Sequence, residues 1–325
     1  MKKALSIFCL ISLILSFILL PFFTEERKVN LSKNDYKAIL KIWHIDSFEG
    51  GEGSRASFLK SVGNKFTKKN KGVLILVTAL TSESAVNRIE NGEVPDLISF
   101  GASSVNVFNS LLTQPSLNVK DGGEYLGKRY LTAWCMGGYF KITKDNKESA
   151  KLIVSQGDFN LSTVAVCLEK LTAKSVVIKE PLEAYSLFLN SQDACLLGTQ
   201  RDVVRLTNKG VNFNAEPVTS FNDLYQYVGV TATDKIKQSC AFSFVDFLLS
   251  STVQKSLTQI KMASLFAGGL YAGSEPYTAL ENSNYAYTIS PFLTQGEVKN
   301  IKEMAKEQIL SQNYDDSVLK FLKQL

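Results

Sequence analysis

The stretch "WHIDSFEGGEGSR", residues 43–55, concentrates the groups able to do chemistry. It holds the one histidine of the chain, His44, three carboxylates (Asp46, Glu49 and Glu52), three glycines, and Ser54 followed by Arg55. Three chemistries fit these residue types. A histidine-dependent triad would have to use His44, and separately Asp46 and Glu49 could serve as a carboxylate pair, though no partner residues fix their separation. His44 sits between Trp43 and Ile45 in an apolar run, however, which predicts a satisfied buried imidazole. No GxSxG elbow, HExxH or CxxC accompanies it, so no enzyme is expected. An anion cradle would use the backbone N–H groups where "EGGEGSR" opens a helix, with Ser54 as N-cap and Arg55 as a charge-assisted partner. No lysine follows the glycines and GxGxxG is not matched, so neither nucleotide-phosphate fingerprint is present. The third reading is a tight loop that forms one wall of a binding cleft, with Asp46, Ser47, Glu49 and Ser54 offering neutral or charged polar contacts.

These groups must be positioned by the elements around them. "ILKIWHI" (39–45) reads as a short strand. "SRASFLKSVGNKF" then sets Phe58, Leu59, Val62 and Phe66 on one helical face. "GVLILVTAL" (72–80) is a continuous β-branched run, the pattern of a strand buried on both faces. A polar helix over 82–91 and the strand "PDLISFG" (95–101) complete a βαβαβ order, which implies a parallel sheet. Further on, "YLTAWCMGGYFKIT" (130–143) is an extended segment broken by Gly137 and Gly138. "STVAVC" (162–167) reads as a strand, "EPLEAYSLFLN" (180–190) as a helix, "ACLLG" (194–198) as a strand and "QRDVVRLTNK" (200–209) as a helix. "LYQYVGVTA" (224–232) is extended, and the last third is mostly helical, over 234–250, 252–260, 296–311 and 314–324.

Open parallel sheets bind ligands beyond the carboxyl ends of their strands. The loops of interest are therefore 46–54, 80–83, 99–104, 168–180 and 198–201. Aromatic faces near such loops suit sugar rings, whose faces expose C–H groups. Trp43, Trp134, Tyr139, Phe100, Phe266 and Tyr271 lie near strand ends or loops, and Trp134, beside the paired glycines, is the favoured platform.

The chain has 325 residues, 45% hydrophobic and 21% charged, enough for two lobes. It opens with Lys2 and Lys3 and an apolar run from Ala4 to Phe23, the pattern of a secretory signal or an anchor. The run is close to the length of a bilayer span, and "PFFTEERK" lacks small residues for a signal peptidase. An uncleaved anchor over 1–23 is expected, with a polar linker over 24–37 and the remainder outside the cytoplasm. Charges elsewhere are interspersed, so no nucleic-acid partner is expected. Cys135, Cys167, Cys195 and Cys240 have no metal-ligand spacing and allow three pairings. They are read as buried thiols or at most one disulfide, and no metal or cofactor is expected.

Four stretches together resemble a known family. "ILKIWHIDSFEGGEGSRASFLKSVGNKFTKKNKGVLILV" is similar to a first strand, ligand loop and helix. "NGEVPDLISFG" is similar to a G-x-x-P-D third strand. "FLNSQDACLLGTQRDVVRL" (188–206) looks like a short strand and glycine before a ligand-side loop, and "AFSFVDFLLSSTVQKSLTQIKM" (241–262) like a late helix pair. Over residues 39–262 the chain resembles the extracellular solute-binding proteins of ABC-type importers, in the group of sugar receptors. It lacks the lipobox cysteine and is shorter than typical sugar receptors.

The resemblance implies an α/β fold of the type 2 periplasmic-binding-protein kind, with two lobes joined by crossover strands and a ligand cleft between them. Lobe 1 would comprise 38–132 and 227–262, and lobe 2 133–226 and 263–325. Crossings would fall at 132–138, 225–230 and near 263–269, with Gly137, Gly138 and Gly229 as hinge positions. The implied ligand contacts are Asp46, Ser47, Glu49, Ser54, Arg55, Thr81, Ser82, Phe100, Gly101, Trp134, Gln200, Arg201 and Tyr227. The implied partners are a small polar solute, with a sugar or oligosaccharide favoured over an anionic solute, and an importer permease. The receptor itself would be a monomer held at the outer face of the membrane. A sensor subunit or adhesion module is the alternative from another class.

Overall fold

A computed structural model describes residues 37–45, 50–102, 112, 124–125, 128–144, 150–158 and 160–324. The expected anchor, the linker to residue 36, and Asp46, Ser47 and Glu49 lie outside the described residues. No described helix is long and apolar enough to cross a membrane.

The chain runs β1 (Ala38–Ile45), α1 (Arg55–Lys69), β2 (Val73–Leu80), α2 (Ser82–Glu90), β3 (Leu97–Gly101), then a short hairpin of β4 (Glu124–Tyr125) and β5 (Lys128–Arg129). It continues with β6 (Leu131–Met136), β7 (Tyr139–Thr143), β8 (Lys151–Ser155), α3 (Ser162–Glu169), β9 (Ser175–Lys179), α4 (Pro181–Asn190), β10 (Ala194–Thr199) and α5 (Gln200–Asn208). The rest comprises β11 (Asn214–Pro217), β12 (Phe221–Asn222), β13 (Tyr225–Val230), α6 (Lys235–Leu248), α7 (Ser251–Lys255), a 3-10 turn (Ser256–Ile260), α8 (Tyr277–Glu281), β14 (Tyr287–Thr288), α9 (Gln295–Ser311) and α10 (Ser317–Gln324).

Two five-stranded sheets carry the core. The first has the order β2-β1-β3-β13-β6. β1 pairs in parallel with β2 and β3, whereas β13 runs antiparallel to both β3 and β6. The expected apolar face of α1 is buried, with Phe58, Leu59, Val62 and Phe66 each 6% exposed or less. Phe66 meets Phe244 of α6 edge-on at 5.5 Å, so α1 and α6 share one packing layer. The second sheet has the order β11-β7-β10-β8-β9, with β8 parallel to both β9 and β10 and β7 antiparallel to β10 and β11.

Several expectations fail here for physical reasons. "STVAVC" is the helix α3, not a strand. Its residues Ser162–Cys167 are buried on all sides, and a helix without a polar face shows no 3.6-residue period. The strand of that region is β8 just before it, and the loop expected over 168–180 contains β9. β2 is not buried on both faces but is the edge strand of its sheet, with Leu76 46% exposed. Residues 133–136, grouped by sequence with the second lobe, belong to β6 of the first sheet.

Candidate functional site

The two sheets exchange the chain at one place. β6 ends at Met136 and β7 begins at Tyr139, so Gly137 and Gly138 are the step between sheets. Gly137 N donates to the Leu224 carbonyl at 2.7 Å, and Asn222 Nδ2 donates to the Gly137 carbonyl at 2.9 Å. This second crossing lies just before β13. Beside both crossings, after the 3-10 turn, Ala263 and Met136 exchange both backbone hydrogen bonds. The two glycines serve close approach. A Cβ on Gly137 would lie 2.2 Å from Gln200 Nε2, and one on Gly138 2.3 Å from Leu280 Cδ1. Gly229 is not at a crossing; it lies inside β13, where a Cβ would meet Leu112 and Leu131.

From the second sheet, Thr199 caps α5 in a capping box with Asp202. This fixes the next two side chains. Gln200 is fully buried; its Oε1 accepts from Gly138 N at 2.9 Å and its Nε2 lies 3.2 Å from Met262 Sδ. Arg201 is half-buried and its Nη1 donates to the Gly51 carbonyl at 2.9 Å. From the first sheet, the glycine loop comes to meet it. Gly51 N lies 3.2 Å from the same Met262 sulfur, and Glu52 N donates to the Ile260 carbonyl at 2.8 Å. A Cβ on Gly51 would lie 2.2 Å from the Lys261 carbonyl oxygen, so only glycine fits. Gly53 has φ +65°, the left-handed turn that delivers the chain to the Ser54 N-cap of α1. Above this contact stand Lys261, Tyr277 and Tyr271. Lys261 Nζ lies 5.5 Å from the Tyr277 ring centre, and the two tyrosine rings stack at 5.3 Å.

The structure therefore brings together the glycine loop, Gln200, Arg201, Gly137 and Gly138. It places the other expected contacts elsewhere. Ser54 and Thr81 are exposed N-caps of α1 and α2, and Ser82 opens α2. Arg55 turns inward and is 6% exposed. Phe100 and Tyr227 are core residues of the first sheet, and Gly101 ends β3 opposite Gln226. Trp134 is wholly buried; Phe58 stacks on its ring at 5.8 Å, and its Nε1 donates to Ser99 Oγ at 3.1 Å.

Ser99 Oγ also accepts from Gln226 Nε2 at 3.0 Å and lies 3.3 Å from His44 Nδ1. His44 is fully buried.

A second buried polar group sits beside the crossing. Tyr139 Oη donates to Asp223 Oδ1 at 2.6 Å, and Leu161 N donates to Asp223 Oδ2 and to Tyr139 Oη, each at 3.0 Å. Burial pushes the Asp223 carboxyl up to about 6, against partial relief from Tyr139 and Lys302. Burial and the Asp223 charge push the Tyr139 hydroxyl up as well. Sequence reasoning missed Asp223, Asn222 and Met262. A lone Asp in a loop and a Met after a helix carry no spacing signal. Among the described residues no group of three or more His, Cys, Asp or Glu is placed to hold a metal.

No protein-family model matches the sequence, and no curated protein does. Solved structures do. The cyclic alpha-maltosyl-1,6-maltose binding protein from Arthrobacter globiformis superposes with a TM-score of 0.62 at 11% identity, over 88% of this chain and 97% of that one. The maltodextrin binding protein MalE1 from L. casei BL23 gives 0.58 at 10% identity, over 88% and 96%. Iron-bound HitA from Pseudomonas aeruginosa gives 0.56 at 13% identity, over 82% and 99%. The fold is the type 2 periplasmic-binding-protein fold. At these identities the likeness establishes that fold and no ligand. The loop at Gly50–Gly53 and the start of α5 are the facing lips of the two sheets, joined by the Arg201–Gly51 bond.

Proposed function

We propose that the protein is an extracytoplasmic receptor that captures a small polar solute between its lobes and hands it to an ABC importer. A sugar or oligosaccharide is the favoured solute. The observation that carries the reading is the pair of adjacent crossings between two separate sheets, at Gly137–Gly138 and Asn222–Leu224, with Ala263 bonded to Met136 beside them. Such a waist lets one lobe rotate on the other, and a solute that bridges them shifts the population toward the closed form. The half-buried Arg201 would supply polar contacts at the lips, with the exposed Glu52 beside it. The buried Trp134 is no part of this proposed contact set. The N-terminal apolar segment would hold the receptor, as a monomer, to the outer face of the membrane.

The test is a thermal-shift panel of neutral mono- and oligosaccharides on the full chain. A true ligand at 100 times its Kd stabilises by about 2.7 kcal/mol. A saturable shift with a neutral sugar, lost in Arg201→Ala, supports the reading; a flat panel from folded protein overturns the choice of sugar. An anionic solute is the second reading, because Arg201 has further N–H donors beyond the one given to Gly51.

A further inference from the structure

Opposite the lips, the first sheet ends where its parallel strands begin. Seven large hydrophobic side chains are exposed among the described residues, and four of them, Ile39, Leu76, Val94 and Ile236, belong to this region. Ile39 is the second residue of β1 and sits level with Leu74 of β2; two positions on, Lys41 sits level with Leu76. These side chains share one face of the sheet, because residues two apart on a strand point the same way. Farther along that face α2 provides cover, with Arg88 over the Trp43 ring at 6.0 Å. At Ile39 and Leu76 the cover has run out. Val94 belongs to the loop that leads into β3, and Ile236 to the first turn of α6. Asp96 ties these pieces together: its N–H donates to the Lys41 carbonyl at 2.8 Å, and its carboxylate accepts from Lys237 Nζ at 2.9 Å.

The same end is basic. Residues 37–41, 68–72, 88–96 and 234–237, which form it, carry eight basic and four acidic side chains. Two of the acids are matched within the set, Glu93 to Arg88 at 3.1 Å and Asp96 to Lys237. A third, Asp234, caps α6 by accepting from Lys237 N at 2.9 Å. Lys37, Lys41, Lys68, Lys71 and Lys235 are exposed and have no ion pair among the described residues.

Exposed apolar groups ringed by lysines select their occupant. A second copy docked about a two-fold axis would set these lysines against their own equivalents. An anionic bilayer instead offers phosphates to the ammonium groups and an acyl boundary to the apolar side chains. Chain order agrees with the bilayer. β1 opens at Ala38, so the apolar run from Ala4 to Phe23 is joined to the sheet at this end. The linker between them reaches at most ~45 Å. Such a tether makes the encounter intramolecular, so a weak surface suffices.

We propose that the amino-terminal end of the first sheet is a lipid-docking surface, where Ile39, Val94 and Ile236 meet the headgroup boundary of an anionic bilayer and the lysines around them pair with its phosphates. Leu76 extends the apolar patch along the edge strand. The proposal rests on the membrane-held reading above and adds a posture to it. The Gly50–Gly53 loop follows the other end of β1, so a docked receptor holds its lips toward the solution.

The experiment places a bimane label at Thr233→Cys, an exposed position at this end, or at Ser186→Cys, an exposed position on α4. The full chain also carries Cys9→Ser and Cys240→Ser, and is incorporated into phosphatidylcholine vesicles with or without phosphatidylglycerol. Quenching by doxyl-labelled lipid is read. Quenching is expected at position 233 in anionic vesicles only, and not at position 186. Lys71→Ala and Lys235→Ala should each lower the docked-to-undocked ratio about fivefold, the equivalent of ~1 kcal/mol per lysine at an anionic surface. Val94→Glu with Ile236→Glu, both at exposed positions, should abolish the quenching. Equal quenching at the two labels, or indifference to phosphatidylglycerol and to these substitutions, overturns the proposal. A concentration-dependent dimer that the glutamates dissolve assigns the patch to a second copy and overturns it too. A chain that floats with vesicles while position 233 stays unquenched removes the docking and keeps the anchor. A chain that does not float removes both.

Discussion

The Arg201 guanidinium donates to the Gly51 carbonyl at 2.9 Å, across 150 residues of sequence and from the lip of one sheet to the lip of the other. It is a charge-assisted bond between a side chain fixed by the α5 capping box and a backbone fixed by its approach to Lys261.

A charge-assisted bond of this kind is worth about 1.5–3 kcal/mol, enough to change a two-state ratio by about tenfold or more. Arg201→Ala should therefore raise the open fraction. Spin labels at Lys60→Cys and Lys209→Cys, both exposed, in a Cys9→Ser, Cys240→Ser background would report it as a longer, broader distance distribution. An unchanged distribution would show that the contact does not hold the lips.

Gly51→Ala and Gly53→Ala should separate two uses of glycine. The added Cβ at position 51 runs into backbone oxygen, which no rotamer change relieves, so the loop must move, at about 1–3 kcal/mol. At position 53 nothing lies within 4 Å, and the cost of about 1–2 kcal/mol comes only from the left-handed φ. Both variants lower Tm, but only Gly51→Ala should weaken solute binding. Equal affinities in calorimetry would break this distinction.

Asp223 gives a pH prediction with a definite sign. Its folded value of about 6 lies above the 3.8 of an ordinary Asp, so the folded chain holds the proton more tightly. That contribution is complete below pH 3.8 and is lost as the pH rises through about 6. The stability of wild type relative to Asp223→Asn should fall between pH 4 and 7, by on the order of 3 kcal/mol. Urea unfolding of both proteins across this range checks it, and a difference that rises with pH would refute it.

The thiols should divide into two classes. Cys135, Cys167, Cys195 and Cys240 are all free, which leaves the disulfide alternative without support. Burial pushes Cys135 and Cys167 up to about 12 and Cys195 to about 11, so none is a thiolate at pH 8. In a Cys9→Ser chain, a disulfide reagent should label Cys240 quickly and the other three only after denaturation. Rapid labelling of a second thiol in the native chain would contradict the burial.

How far the sequence could be read follows from what each element buries. α1 was legible because it is covered on one side only, so Phe58, Leu59, Val62 and Phe66 stand out against Lys60, Lys65 and Lys68. α3 was not, because it is covered all round and its β-branched residues imitate a strand. β2 reads as a central strand because an apolar run does not say whether a neighbour lies on one side or both. Gln200 and Arg201 are legible as the residues that open a helix after a strand and a glycine. The chemistry of Trp134 suits a solute, yet the same indole completes a stack with Phe58 and a bond to Ser99, and burial of that kind depends on long-range packing that leaves no local pattern. Asp223 is invisible for the same reason, since its partners Tyr139 and Leu161 lie 84 and 62 residues away.

The position of β13 between β3 and β6 has a consequence for synthesis. The first sheet begins at Ala38, but its fourth strand in order is Tyr225–Val230. A nascent chain therefore carries β1, β2, β3 and β6 for about a hundred residues with a gap between them, and neither lobe is a contiguous stretch that could close on its own. Folding of the N-terminal core has to wait until residue 230 is available. Such wide sequence separation makes folding slow. In the receptor proposed above, which would be threaded through a membrane before folding, delay built into the strand order would keep the chain in a form that can be threaded.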